Sequence, residues 1–263
     1  MMNKKQLYAK FYDLEYQNKR DDVNFYYHLA QKIDGPILEC ACGAGRILIP
    51  IAQSGKRIWG FDVNAEMLKI AKEKTRLSKI WRDNKIFQDD LTKFSSHFLK
   101  NKKFKFIFLS FDSLAYVAQK DETFYSLRET RQRQHSTLEN IAKHLDSGGL
   151  FAFDLFSPNN LSREYIVRHH FSRVINGRTW NLFSSIHVPA KHFFQINYFM
   201  EILEKNGSSK RWHYPISGYQ VQAKEILSLL KATGLHVKNF YGGFNLKPYK
   251  KTSEQMIFVC QKV

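Results

Sequence analysis

The chain has 263 residues, 43% of them apolar, which is room for one elaborated domain or two small ones and enough to bury a core without a disulfide or metal staple. No apolar run approaches the ~20 residues that span a bilayer, and the basic start over residues 1–10 is followed by no apolar stretch of the kind a secretory leader carries. A formal net charge of +17 suits anionic partners and leaves the fold open, but Lys100, Lys102, Lys103, Lys105, Arg128, Arg131 and Arg133 are scattered and form no nucleic-acid-binding signature.

Strand-like and helix-like segments alternate along the first part of the chain. Residues 36–40 read as a short buried strand, 46–54 as a helix disturbed by Pro50, and 57–62 as a second strand. Asn64 is placed to cap the next helix, with Glu66 in its first turn and Met67, Leu68, Ile70 and Ala71 at helical spacing. Residues 85–88 and 104–110 read as the third and fourth strands. A long helix is expected from Asp121 through Leu127, Leu138, Ile141 and Leu145, stopped by Gly148-Gly149. Residues 150–156 read as a fifth strand, and Pro158 with Asn159-Asn160 closes the block.

The segment 158–221 is rich in Phe, Tyr, Trp and His and holds two hairpin signals, Asn176-Gly177 and Asn206-Gly207, which predict a small antiparallel sheet. From Gln222 the helical pattern returns with Ile226, Leu227, Leu229 and Leu230. Glu225 stands where a capping-box carboxylate belongs, and Gly234 ends the helix. Strands follow over 235–241 and 255–261. Such alternation predicts an α/β fold, a mostly parallel seven-stranded sheet with helices on both faces. The core is expected over 1–157 and 222–263, with 158–221 as an inserted antiparallel β lid. Cys40, Cys42 and Cys260, an odd number without further ligands at metal spacing, read as small buried thiols of a cytoplasmic protein, with no metal site.

The chemistry concentrates in Glu39-Cys40-Ala41-Cys42-Gly43-Ala44-Gly45-Arg46, between the first strand and the first helix. Gly43 and Gly45 let backbone amides approach a ligand, and the following helix start favours a carboxylate or phosphate. A dinucleotide site would need a third small residue where Leu48 stands. Glu39 would also repel a pyrophosphate. A cationic nucleoside with an ammonium, a sulfonium and a carboxylate suits the loop better, and Asp62 at the end of the second strand can accept from a ribose diol.

These residues, with Gly60-Phe61-Asp62-Val63-Asn64-Ala65-Glu66-Met67-Leu68, resemble the class I S-adenosylmethionine-dependent methyltransferases of the methyltransferase domain family. Gln88-Asp89-Asp90-Leu91, Phe104-Lys105-Phe106-Ile107, Leu145-Asp146-Ser147-Gly148-Gly149 and the late helix from Glu225 to Gly234 continue the likeness in order, over about three quarters of the chain. The resemblance implies a Rossmann-like fold and S-adenosyl-L-methionine as cofactor. It places Glu39, Cys42, Gly43 and Gly45 along the methionine end and Arg46 at the carboxylate. Asp62 would bind the ribose, Val63 and Met67 would pack on the adenosine, and Asp90 and Leu91 would face the adenine. Ser110 and Phe111 would lie below the sulfonium, and Tyr12, with Tyr8 beside it, would close over the cofactor. Cys40, Ala41, Ala44 and Asn64 depart conservatively from the family pattern. Asp112, where relatives often have Asn, alters the charge near the transfer site.

Methyl transfer from a sulfonium is an in-line displacement, helped chiefly by holding donor and acceptor close and aligned. A general base matters only when the acceptor must lose a proton early. Asp112 is the leading candidate, followed by Tyr116, His135, His169, His170 and His213. The expected activity is transfer to N or O of a small-molecule acceptor, by a monomer or homodimer with no membrane partner. The alternatives are an RNA methyltransferase that uses the basic surface and a non-catalytic binding protein on the same fold.

Overall fold

A computed structural model describes residues 2–77, 85–94, 99, 102–158 and 167–263; Lys100 and Asn159-Asn160 lie outside them. Two helices come first. Helix α1 (Lys4–Tyr16) starts with Asn3 and Gln6 in a reciprocal capping box, and α2 (Asp21–Gln31) carries Asp21 and Asp22 in its first turn. The alternating block follows: β1 (Ile37–Cys40), α3 (Leu48–Gln53), β2 (Ile58–Asp62), α4 (Ala65–Leu77), β3 (Lys85–Gln88) and β4 (Phe104–Leu109). A 3-10 turn (Ala115–Ala118) leads into a small hairpin of β5 (Gln119–Lys120) and β6 (Thr123–Phe124), then α5 (Leu127–His144) and β7 (Leu145–Phe156). After β8 (Val167–Ile175), β9 (Arg178–Ala190), β10 (Phe193–Leu203) and β11 (Ser209–Tyr219), the chain ends with α6 (Ala223–Ala232), β12 (Leu235–Tyr241) and β13 (Gln255–Lys262).

The main sheet has seven strands in the order β12-β13-β7-β4-β1-β2-β3. β1, β2, β3, β4 and β7 run parallel, and β13 is antiparallel to both of its neighbours. The two-residue period of a strand divides the core. Leu38, Cys40, Phe61, Leu109, Phe151 and Phe258 pack with Leu138 and Ile141 of α5 and Ile226 and Leu230 of α6. Ile37, Ile58, Phe106, Phe108, Ala152 and Ile257 pack on the other face with α2, α3 and α4 through Tyr26, Leu48 and Leu68. This sandwich matches the fold read from the sequence.

Several boundaries differ for local reasons. The region from Asp121 is not yet helix. Asp121 turns the β5–β6 hairpin with φ +50°, and α5 begins after Ser126, whose hydroxyl accepts from Glu129 N–H while the Glu129 carboxylate accepts from Ser126 N–H. The same helix ends at His144, so Gly148-Gly149 does not cap it. The pair lies in the opening stretch of β7, where the register with β4 shifts, and a Cβ on Gly149 would stand 2.9 Å from Asp146 O. Helix α3 is only six residues long, with Pro50 at its third position, where a helix needs no N–H donor.

Strands β8–β11 form a separate antiparallel sheet in the order β11-β10-β9-β8. Asn176 and Gly177 both have positive φ, 52° and 74°, as a tight hairpin turn requires, and Gly207 (φ 82°) turns β10 into β11. One face of this sheet, with Phe171, Trp180, Leu182, Tyr198 and Met200, packs on Leu7, Tyr8 and Phe11 of α1. The N-terminal helix is thereby fixed beside the open edge of the main sheet.

Candidate active site

Strand β1 lies between β2 and β4, so the chain reverses its direction of travel across the sheet there, and ligands bind outside the carboxyl ends of strands at such a switch. A cavity of about 400 Å³ occupies that place. It is lined by Glu39 and Asp62 from the tips of β1 and β2, by Cys42, Gly43 and Arg46 from the loop between β1 and α3, and by Val63 and Met67 at the start of α4. Asp90 and Leu91 beyond β3, Ser110 and Phe111 beyond β4, and Tyr12 of α1 complete the predicted set that it brings together.

The acids have distinct environments. Glu39 is buried, and its Oε2 has no hydrogen-bond partner among the described residues. Burial pushes its carboxyl well up, opposed by the Arg46 guanidinium and the Leu48 amide. Asp62 accepts from Gly43 N–H at 2.8 Å through Oδ2 and from Asn64 N–H at 2.8 Å through Oδ1. Burial raises its pKa as well, against the pull of the Asn64, Gly43 and Val63 amides. Asp90 Oδ1 holds Thr92 through its amide and hydroxyl at 2.8 and 2.7 Å. Asn64 caps α4, accepting from Glu66 and Met67. Val63 is 66% exposed although apolar, as suits a residue that packs on a ligand.

This donor and acceptor set fits S-adenosylmethionine. The buried Oε2 of Glu39, which has no hydrogen-bond partner among the described residues, suits a cationic ligand, because a buried polar atom left unpaired is costly. Gly43 has φ +51°, and a Cβ there would meet nothing within 4 Å, so the loop presents bare backbone to the cavity.

Two predicted residues stand elsewhere. Gly45 does not line the cavity: its φ is +77°, and a Cβ there would stand 3.0 Å from Ile49 Cδ1 and 3.3 Å from Ala71 Cβ, so its smallness serves the packing of α3 on α4. Asp112 is also outside, 1% exposed, with Oδ1 accepting from Phe156 N–H at 3.0 Å. Phe111 and Asp112 both have φ +59°, and this reversal carries the Asp112 side chain away from the cavity. Arg46 lines it, but both of its terminal nitrogens are occupied by Asp22, Nη1 to Oδ1 and Nη2 to Oδ2 at 2.6 Å each. Among the remaining base candidates only Tyr116 reaches the cavity. His135 faces Glu139, His169 faces Ser172, His170 lies between Glu15 and Ser184, and His213 faces Asn197.

The left-handed pair beyond β4 is held by Asp154 of β7. Its Oδ1 accepts from Phe111 N–H at 2.9 Å and from Tyr26 O–H at 2.6 Å. Burial pushes this carboxyl from 3.8 up to about 6. The folded state therefore holds the proton more tightly than the unfolded state does. Stability from this group is complete below pH 3.8 and is lost as the pH rises through about 6. Asp154→Asn, neutral throughout, is expected to gain stability relative to wild type between pH 4 and 6. Denaturant titrations across that range check this, and a gap that does not change with pH would refute it.

On the opposite wall, sequence reasoning named Tyr8, Tyr12 and Tyr116 and missed Tyr198 and Tyr214. Tyr8 and Tyr12 from α1, Tyr116 from the 3-10 turn, Tyr198 from β10 and Tyr214 from β11 all reach the cavity. Tyr8 stacks on Tyr214 at 4.3 Å and lies 5.7 Å from Tyr198. Burial raises the pKa of each of these phenols. A local signal existed for α1, the Asn3–Gln6 capping box, but none links tyrosines from four distant segments.

Residues 37–149 match the methyltransferase domain family. YqeM of Bacillus subtilis (strain 168), which bears a methyltransferase name, is 25% identical over 188 residues, 66% of this chain and 73% of that one. Among solved structures, an S-adenosylmethionine-dependent methyltransferase from Clostridium acetobutylicum ATCC 824 superposes with a TM-score of 0.76 at 18% identity, covering 97% of this chain and 98% of that one. The sugar N-methyltransferase KedS8 from Streptoalloteichus sp ATCC 53650 gives 0.74 at 17% identity over 95% and 92%. The residues that the methyltransferase domain family matches span the strand tips and glycine loop whose geometry fits S-adenosylmethionine.

Proposed function

We propose that the enzyme methylates nitrogen on a small-molecule amine. The observation that carries this is the makeup of the wall facing the cofactor acids. Among the described residues it offers phenols and no carboxylate or imidazole; the four acids they bring to the cavity, Glu39, Asp62, Asp89 and Asp90, all sit at or just beyond the tips of β1, β2 and β3. An alcohol methylated at oxygen needs a base to take its proton as that oxygen attacks the methyl carbon, and phenols with raised pKa stay protonated at neutral pH. A neutral amine brings its own lone pair, and its proton can leave to water after transfer.

Bound across the strand tips, S-adenosylmethionine supplies an electrophilic methyl group. Glu39 faces the cationic end, Gly43 and Asp62 hold the loop and the ribose, Asp90 and Leu91 meet the adenine, and Ser110 and Phe111 form the floor. The rings of Tyr8, Tyr198 and Tyr214 exclude water and stabilise the cationic amine product through their π faces. Strands β8–β11, within 158–221, act as the cover over the acceptor, beside the core of 1–157 and 222–263. Asp112 acts on the floor turn as a positioning residue. The sugar N-methyltransferase KedS8 shares the architecture, which supports an amine acceptor. Among the described residues no helix is long and apolar enough to cross a membrane, and we place the enzyme in the cytoplasm as a monomer or homodimer.

Labelled methyl transfer to glucosamine and to glucose is the direct comparison. Transfer to the amine is expected. Label entering only hydroxyl acceptors or only RNA would overturn the reading.

A further inference from the structure

We infer that Arg133 reads an oxyanion, a carboxylate or a phosphate, on the acceptor. The inference rests on the small-molecule reading above and narrows it. Arg133 projects from α5 into the same cavity, beside Val117 and Gln119. Its Nε donates to Val117 O at 2.7 Å, and its guanidinium lies over the Tyr125 ring at 4.4 Å. These two contacts fix the plane of the group and leave the Nη1 and Nη2 fork without a protein acceptor among the described residues.

The other arginines nearby behave differently. Arg46 is closed by Asp22 on both terminal nitrogens, and Arg131 pairs with Glu225 at 2.5 Å. No acid lies within ion-pair distance of Arg133 among the described residues. Glu129, one helical turn earlier, is occupied at the Ser126 cap. A planar fork with a fixed orientation and no partner is the geometry that takes a carboxylate or phosphate through two parallel hydrogen bonds.

The cofactor does not satisfy this group. Its one anionic group is the methionine carboxylate, which the reading above places at the loop after β1. Arg133 comes from α5 on a different wall, so its anion belongs to the second substrate. The net charge of +17 adds a long-range attraction for such acceptors. The acceptor class is therefore an amine that also carries a carboxylate or a phosphate.

The deciding experiment is calorimetric titration of inorganic phosphate, and separately of acetate, into the full chain saturated with S-adenosylhomocysteine. Wild type, Arg133→Gln and Arg133→Lys are compared, and the S-adenosylhomocysteine affinity of each variant shows that it is folded. Wild type is expected to bind at least one anion. Arg133→Gln is expected to bind it about 10- to 100-fold more weakly, the range for a lost charge-assisted contact, and Arg133→Lys should fall between them. Absence of anion binding, or equal binding by wild type and Arg133→Gln, overturns the inference. Methylation rates on glucosamine, glucosamine 6-phosphate and glucosaminic acid then separate phosphate from carboxylate. If the anion binds through Arg133 but none of the three amines is methylated, the amine reading fails and the oxyanion site stands. If glucosamine is methylated as well as its two anionic relatives and the anion does not bind, the amine reading stands and the oxyanion site fails.

Discussion

Asp62→Ala is expected to weaken S-adenosylmethionine binding by about 1.5–3 kcal/mol, roughly 10- to 150-fold, because the ribose diol loses a charged acceptor. The structure adds a second reason. Asp62 also anchors Gly43 N–H and Asn64 N–H, so its removal loosens the glycine loop and the start of α4 together. The usual conservative replacement does not rescue it. Asparagine has one carbonyl oxygen, and Asp62 faces a backbone donor at each of its two oxygens. Whichever way the amide is turned, its nitrogen meets a donor. Asp62→Asn should therefore lose about as much affinity as Asp62→Ala. Calorimetric titration with S-adenosylmethionine decides the point, and affinity equal to wild type in both variants would remove Asp62 from the ribose site. Because burial raises the Asp62 pKa, binding is also expected to weaken as the pH falls through the carboxyl's titration.

The parts of this site that were legible in the sequence are the parts made by short-range grammar. Glu39, Gly43 and Asp62 lie at fixed offsets from apolar runs, and a parallel strand delivers its last residue to the same edge as its neighbour's. The registers Glu39 to Gly60 and Cys40 to Phe61 show how closely those tips align. What escaped depends on backbone conformation or on distant partners. Asp112 follows a strand tip and by position belongs in the cavity, but two successive left-handed residues send it behind the floor. Gly45 has the same residue type as Gly43 and faces the opposite way, because its neighbours Ile49 and Ala71 come from α3 and α4. Tyr198 and Tyr214 join Tyr8 on the wall only because α1 packs on the antiparallel sheet, a contact between segments separated by most of the chain.

The same limit hid the partner of Arg46, and from it comes the largest stability effect expected here. Asp22 is fully buried and holds Arg46, whose side chain is 11% exposed, through two hydrogen bonds of 2.6 Å. It also accepts from Val23 N–H at 2.9 Å. Removing one member of a buried pair leaves the other as an uncompensated charge, so Asp22→Ala should cost about 3–5 kcal/mol of folding stability. At about 2–4 °C per kcal/mol for a chain of this size, the melting temperature should fall by roughly 6–20 °C. Removing both charges is a different matter: Asp22→Leu with Arg46→Met exchanges the pair for apolar volume and should recover most of the loss. A melting temperature within a degree or two of wild type for Asp22→Ala would show that the pair is neither buried nor bidentate. The functional consequence follows from the position of the guanidinium, which lies 5.5 Å over the Phe111 ring. Asp22 thus steadies, through Arg46, the same floor turn that Asp154 holds from below. Asp22→Ala should therefore weaken cofactor binding even at temperatures where the protein stays folded.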